Sequence, residues 1–424
     1  MKILWITNIL FPEARALITG NNNQLSGSGG WMLGASKALV KHGDLTLCIA
    51  TVSRLVSELT KLDGEDLMYY VLPFGKGNNF ENDDYIPLWK TVNDDFKPDV
   101  VHIHGTEFSH GLAFIEACGA NNVVVSIQGL TSACYKYHHS GISSFQLLQN
   151  TTFRDIFTGG TLRVDKMFKR KSAYERKMLQ KVHHIIGRTS WDRAHAWAIN
   201  PNAKYHIGNE TLREIFYDGH WTYDGCDKHS VFLSQVSSPL KGFHIFLKAV
   251  PLIIREYPDL KLRIAGSDVT HKGSFVERMK LSDYGKIIRK LIKQSGLEDR
   301  IVFTGPLSAT QMKQEYLRAN VFVSPSSIEN SPNSLGEAQL LGVPCIASYV
   351  GGTMDMIPNE SCGTLYRFEE VEMLAYKICE IFKKSSTFDN RNMIEEARKR
   401  HDSVKNMIKL VETYKLIISE NDNS

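Results

Sequence analysis

Short runs of aliphatic and β-branched residues recur along the 424-residue chain, separated by stretches in which apolar positions return every three or four residues. In the first half the runs are KILWIT (2–7), LTLCIA (45–50), MYYVL (68–72), DVVHIH (99–104), VVVSIQ (123–128) and HIIGR (184–188). In the second half they are SVFLSQV (230–236), LKLRIAG (260–266), RIVFTG (300–305), NVFVSPS (320–326) and VPCIAS (343–348). Several are apolar almost without interruption, the pattern of parallel strands covered on both faces. Between them, WMLGASKALVKHG reads as a helix with a glycine stop at Gly43, and KGFHIFLKAVPLIIREYP as one ending before Pro258. Pro251 inside the latter argues against one straight helix. Strand then helix, repeated on either side of a weak region near 207–228, predicts two doubly wound α/β domains, 1–215 and 216–403. The last segment, HDSVKNMIKLVETYKLIIS (401–419), is amphipathic through Val404, Met407, Ile408, Val411, Tyr414 and Leu416–Ile418, and needs a surface to cover.

Composition changes this picture little. Hydrophobic residues make up 42% and charged residues 23%, ordinary for a globular enzyme. A formal charge of +4 is too mild to suggest a nucleic-acid partner. Seven cysteines without a Cys-x-x-Cys pair indicate neither a disulfide framework nor a zinc site, so a cytoplasmic protein is expected. The opening MKILWITNILFPEARA mimics a signal peptide, but its apolar run stops at Pro12-Glu13 with no small-residue cleavage site, so it reads as a buried strand. No run approaches the ~18–20 apolar residues of a spanning helix, and any membrane contact is expected to be peripheral.

The candidate chemistry lies in SPSSIENSPNSLGEAQLLGVPCIASYVGG (324–352). An apolar strand enters a polar loop holding Glu329, and a second acid, Glu337, follows eight positions later. Asn330 or Ser331 is suited to cap a helix from about Asn333 to Leu341, stopped by Gly342. Its N-terminus, lying beyond a parallel strand, suits a phosphate through free N–H groups and the helix dipole. Acids beside a diphosphate need neutral or cationic partners, and sugar hydroxyls serve. The plainer alternative makes Glu329 a solvated loop acid and Glu337 a decoration of the helix. The chain has no Asp-x-Asp, the carboxylate pattern that would hold a divalent ion, and no metal or other cofactor is expected.

These residues resemble a family. Glu329-x7-Glu337, the following A-x3-GVP and Val350-Gly351-Gly352 look like the signature of retaining glycosyltransferase family 4, which has the GT-B fold. GSGGWMLGASKALVKHG (27–43), KPDVVHIHG (97–105), SPLKGFHIFLKAVP (238–251) and VFTGPLSATQMKQEYLRANVFVSPS (302–326) extend the likeness over most of the chain. The resemblance implies two Rossmann-like domains facing a cleft, with the C-terminal helix (404–424) crossing back to the N-domain. It implies a metal-independent hexosyltransferase moving a sugar from a nucleotide-diphosphate-sugar to a glycan or lipid-linked acceptor, in bacterial surface polysaccharide synthesis. Glu329 would contact the donor sugar near its anomeric centre and Glu337 the ribose hydroxyls. Backbone N–H groups around Asn333, Ser334 and Leu335 would hold the distal phosphate and sugar, and Lys241 would neutralise the leaving diphosphate. Gly29 and Gly30 would let the N-domain backbone approach the phosphates. Two positions depart from the family: Gln235 and Val236 stand where an arginine is usual, and Gln128 where a histidine is frequent. Gln235 still donates a hydrogen bond but carries no charge, and Gln128 cannot exchange a proton. The departures leave two rivals, a nucleotide-sugar epimerase on the same fold and a non-catalytic sugar-nucleotide-binding scaffold.

In the first half, His102 reads as structural, while His104, nearer the strand end, suits either acceptor contact or loop support. Arg188 suits an acceptor phosphate or a structural pair with Asp192. Gln128 joins these as an acceptor-side candidate. From Arg163 to Lys181 there are eight Lys/Arg and two acids, with Phe153, Phe157, Met167, Phe168 and Met178 in and just before the stretch. That stretch is either a solvated helix face or a peripheral contact with an anionic membrane at the inner leaflet.

Overall fold

The computed structural model describes residues 1–21, 30–41, 45–74 and 82–422. The chain divides into two compact units: Met1–Ala133 with Phe168–Leu212 and His401–Ser424, and Cys134–Met167 with Arg213–Arg400.

The first unit is built on an eight-stranded sheet. Its strands are β1 (Lys2–Ile6), β2 (Thr46–Ser53), β3 (Thr60–Asp63), β4 (Met68–Pro73), β5 (Val100–His104), β6 (Val123–Ser126), β7 (His184–Gly187) and β8 (Lys204–Ile207). They lie in the order β3-β4-β2-β1-β5-β6-β7-β8, parallel except for the β3–β4 pair. Alternate residues of β1 feed two cores. Leu4 and Ile6 join the Trp89, Val92 and Leu112 side, while Ile3 and Trp5 join the side holding Met32 and Tyr414. Both faces are covered, which is why these strands are apolar throughout.

The C-terminal helix, Ser403–Asp422, clusters with the first unit and buries Val411, Tyr414 and Ile417. The expected stripe shifts in detail: Val404 and Ile408 face outward, and Met407, Leu410 and Ile418 pack inward beside the buried three. Tyr414 fixes the register. Trp5 Nε1 donates to its hydroxyl at 2.9 Å, and His102 Nδ1 lies 2.6 Å from the same oxygen.

The second unit is built on a six-stranded parallel sheet of β9 (Ser230–Leu233), β10 (Lys261–Ile264), β11 (Ile301–Phe303), β12 (Val321–Ser324), β13 (Cys345–Ser348) and β14 (Thr364–Tyr366), ordered β11-β10-β9-β12-β13-β14. The helix Phe243–Glu256 is continuous and carries Pro251 inside it.

One boundary differs from the sequence expectation. Residues 134–167, expected in the first domain, cluster with the second unit. Ile142 and Leu147 insert into that unit's core, Thr152 Oγ1 donates to Leu281 O at 2.7 Å, and His244 Nε2 donates to Ser140 O at 2.8 Å. Side-chain burial, not chain order, decides the allegiance.

Candidate functional site

In the second unit, the loop after β12 and the turn after β9 are pressed together by a glycine. Gly242, between the 3₁₀ turn Pro239–Lys241 and helix Phe243–Glu256, has φ +67°, and a Cβ there would sit 1.7 Å from Pro325 O. Only glycine tolerates both the left-handed conformation and this approach. Ser327 N donates to Leu240 O at 2.8 Å, completing the junction. The consequence is that Lys241 reaches Glu329: Nζ donates to Oε1 at 2.6 Å, and Ser326 Oγ donates to the same oxygen at 2.7 Å. Glu329 is thus partly buried and ion-paired rather than a solvated loop acid. Its backbone is held from the other side by Gly351, whose φ of +53° and missing Cβ let the turn come within 1.9 Å of Glu329 O, measured from where a Cβ would stand. Gly352 N donates to that carbonyl at 3.0 Å. The Val-Gly-Gly of the motif therefore has a steric reason.

Helix Asn333–Leu341 forms where the sequence predicts, ended by Gly342 with φ 78°. Its cap differs. Pro332, not Asn330 or Ser331, is the N-cap residue, and it has no capping side chain. The N–H groups of Leu335 and Gly336 turn back to Pro332 O at 3.0 and 3.3 Å. The terminus, with Asn333 and Ser334 in its first turn, keeps the dipole that favours an anion.

Glu337 is buried on this helix, and a residue absent from the sequence reading partners it. Arg213 Nε and a terminal nitrogen donate to Glu337 Oε1 at 2.9 and 2.7 Å, and Tyr316 OH approaches Oε2 at 3.4 Å. Burial pushes the Glu337 carboxyl up to about 7, and Arg213 opposes that rise. Arg213 carries no motif in the linear chain, and only its basic side chain before the second sheet could have flagged it. Gln235, where an arginine was looked for, lies exposed on the loop after β9. The segment absent from the expected C-domain borders this site: Ser140 Oγ lies 2.8 Å from Ser327 Oγ, which also donates to Tyr137 O at 3.2 Å.

In the first unit, a cavity of about 70 Å³ opens beside the ends of β5, β6 and β7, lined by Trp5, Trp31, His102, His104, Arg188 and Glu210 among others. His102 is structural, as expected. Its nitrogens meet Tyr414 OH and Ser126 Oγ at 2.6 and 2.5 Å, and burial holds its pKa down to about 3. His104 stacks on it with ring centroids 3.8 Å apart and lies 4.4 Å from the Trp5 ring. Among the described residues neither His104 nitrogen has a hydrogen-bond partner, and burial, with His102 and Arg188 nearby, holds its pKa well below its ordinary range. The Arg188 guanidinium pairs with buried Glu210 rather than with Asp192, which accepts instead from the Arg188 backbone N–H at 2.9 Å. Any acceptor anion at Arg188 would have to displace Glu210. Gln128 is half-buried after β6. Gly30 opens helix Gly30–Lys41, and Gly29 lies outside the described residues.

The stretch Arg163–Lys181 falls in helix Gly160–Lys181, where the 100° step between residues decides which side chains share a face. Val164, Phe168, Lys171, Glu175 and Met178 share one face, which ends in fully buried Glu175 and Met178. Glu175 accepts from Thr131 N and Ser132 N at 2.8 Å each and from Thr106 Oγ1 at 2.6 Å. Lys166, Lys169 and Arg170 point away from that face, and Lys171 Nζ lies 4.6 Å over the Phe108 ring. Val164 and Met167 are themselves exposed, among the exposed Arg163, Lys166 and Arg170. A group unforeseen in the sequence, His138, His139 and Asp165, brings ligand-type atoms within 4.8 Å of one another, with His138 Nε2 hydrogen-bonded to Asp165. Among the described residues, no helix is long and apolar enough to cross a membrane.

Two α/β units on largely parallel sheets are the architecture of the GT-B fold, and comparison with solved structures agrees. A sucrose-phosphate synthase from Thermosynechococcus elongatus superposes with a TM-score of 0.71 over 99% of each chain at 15% identity. Anabaena HepE in complex with UDP and glucose gives 0.64 over 97% of this chain and 99% of that one, at 16% identity. In sequence, residues 226–400 match the family described as Glycosyl transferases group 1. A D-inositol 3-phosphate glycosyltransferase of Corynebacterium urealyticum is 30% identical over 128 residues, 30% of this chain and 28% of the relative. The chain thus spans under a third of the length of such curated relatives.

Proposed function

We propose that the protein is a retaining glycosyltransferase that moves a hexosyl group from a nucleotide-diphosphate-sugar to a glycan or lipid-linked acceptor, in the building of a surface polysaccharide. The observation that carries this reading is the Lys241–Glu329 pair, 2.6 Å apart, with Glu329 four residues before a helix whose N-cap residue, Pro332, has no capping side chain. A diphosphate docked at that terminus competes with Glu329 for the Lys241 ammonium. Taking Lys241 neutralises the charge that grows as the glycosidic bond breaks. It also releases the Glu329 carboxylate to accept hydrogen bonds from sugar hydroxyls near the anomeric carbon. The acceptor oxygen then bonds to that carbon on the face the phosphate oxygen leaves, and its proton passes to the departing phosphate, so configuration is retained. Glu337, anchored by Arg213, is placed to meet the ribose from the same helix. Lys241 and the helix terminus supply the positive charge at the diphosphate, so the step is written without a metal. The first unit's cavity, with His104, Gln128 and Arg188 near it, is assigned to acceptor recognition. The match at 226–400 to a glycosyltransferase family and the UDP held by a structural neighbour support a nucleotide-sugar donor.

The test is a thermal-shift screen of nucleotide-sugars, followed by product analysis with and without acceptor. A donor that binds the native state raises the melting temperature. Transfer that needs acceptor and retains configuration confirms the reading. Epimerised free sugar, or binding with no turnover, would replace it with one of the two rivals.

A further inference from the structure

The six-residue helix Phe153–Thr158 is inside out. Thr152 and Asp155 form a capping box at its start, and Asp155 is buried while Phe153, Ile156 and Phe157 are each more than half exposed. The Phe153 and Phe157 rings touch edge to face at 4.7 Å, so the turn presents a small aromatic surface to solvent. A second short helix, Phe275–Met279, capped by Ser274, does the same with Phe275 and Val276, again more than half exposed. These turns are far apart in sequence and adjacent in the fold. Thr152 Oγ1 donates to Leu281 O at 2.7 Å, and Thr161 Oγ1 donates to Asp283. Large apolar side chains clustered in this way mark an interaction surface, unlike singly scattered ones.

The charges around the two turns select the occupant. Arg154, Arg163, Lys272 and Arg278 are exposed. The acids in the same stretches are engaged: Asp155 in its capping box, Glu277 by Lys280 at 2.6 Å, and Asp283 by Thr161. The surface is therefore apolar at its centre and cationic at its margin, the combination that binds the interface of an anionic bilayer. We propose that these paired turns dock the protein on an anionic lipid surface, in place of the basic face of helix Gly160–Lys181. The proposal uses no part of the donor site and stands or falls separately from the transferase reading.

The experiment is co-flotation of the full chain with vesicles of phosphatidylcholine alone and with about one-third phosphatidylglycerol. Binding is expected to the anionic vesicles and not to the neutral ones. Ile156→Ser/Phe157→Ser/Phe275→Ser should lower it at least tenfold while leaving the melting temperature unchanged. Arg154→Gln/Arg163→Gln/Arg278→Gln should lower it by roughly a hundredfold at low salt, from three cations near the leaflet. Lys166→Gln/Lys169→Gln/Arg170→Gln should bind as the wild type does. The proposal is overturned if the wild type ignores anionic vesicles, if the apolar triple variant still binds, or if the Lys166 set abolishes binding. It is equally overturned if that apolar variant abolishes a self-association seen by sedimentation and leaves vesicle binding intact.

Discussion

The two units bury their polar groups in opposite ways. In the second, the candidate donor site sets charge against charge: Lys241 on Glu329, Arg213 on Glu337. In the first, the cavity is centred on two stacked imidazoles that burial keeps uncharged, with the Arg188–Glu210 pair beside them. Opposed charges make a site that an incoming anion can re-pair, because one partner is already mobile in the exchange. Neutral imidazoles make a site that fits polar uncharged groups and resists protonation. Glu337 and His102 have opposite responses to pH, set by desolvation acting on an acid in one case and on a base in the other.

The sharpest way to break this comparison is to remove the cation. Lys241→Ala should lower transfer by about 10²–10³-fold, the scale of losing one group aimed at developing charge. Folding should be intact, since Ser326 Oγ still donates to Glu329. Initial rates and a melting curve decide it, and near-wild-type transfer would detach Lys241 from the chemistry. Next comes the junction that makes the pair. Gly242→Ala places a Cβ against Pro325 O in a left-handed backbone, and a loss of about 2–4 kcal/mol is expected in denaturant unfolding, with activity falling alongside.

The pH responses follow. His102 has its pKa lowered from 6.5 to about 3, so its unfolded form binds a proton that the folded form refuses. Stability is full above pH 6.5 and is lost below it, by about 1.4 kcal/mol per pH unit for this group. Glu337 runs the other way. Its folded pKa, raised from 4.5 to about 7, means that the folded form keeps a proton the unfolded form has released. Its contribution is full below pH 4.5 and declines by on the order of 2–3 kcal/mol by pH 7. Denaturant midpoints across pH 4.5–7.5 should therefore show a smaller decline toward neutrality in Glu337→Gln than in the wild type. An unchanged slope would mean that Arg213 holds the carboxylate ionised throughout. The smallest effect is expected at Val404→Ser, within about 0.5 kcal/mol, because this position of the C-terminal helix faces outward.

Much of this architecture is legible in the linear chain for one physical reason. Strands such as β1, β5 and β12 are covered on both faces, so they must be apolar at successive positions. β3 (Thr60–Asp63), β8 (Lys204–Ile207) and β14 (Thr364–Tyr366) escape the reading because they are short edge strands that carry no such run. The helix Asn333–Leu341 is legible from its glycine stop, whereas its cap is not, since Asn330 is itself buried and Pro332 takes the position. Lys241 and Glu329 are recognisable as residues, but their pairing depends on two glycine contacts between distant turns. Arg213, and Glu175 with its four donors, have no local signature. Each is set by a partner more than 40 positions away. Residues 134–167 are misassigned for the same reason: Ile142 and Leu147 belong to a core whose strands come later in the chain.

The bond between Trp5 and Tyr414 spans 409 positions, and it has a consequence in time. A ribosome adding about 5–20 residues per second needs roughly 20–80 s to make Tyr414 after Trp5. Throughout that interval Trp5 and His102 lack the hydroxyl they share in the finished protein, and the face that the last helix covers stays open. The second unit, wholly translated by Arg400, can close first, and the unit that begins the chain is the one completed last.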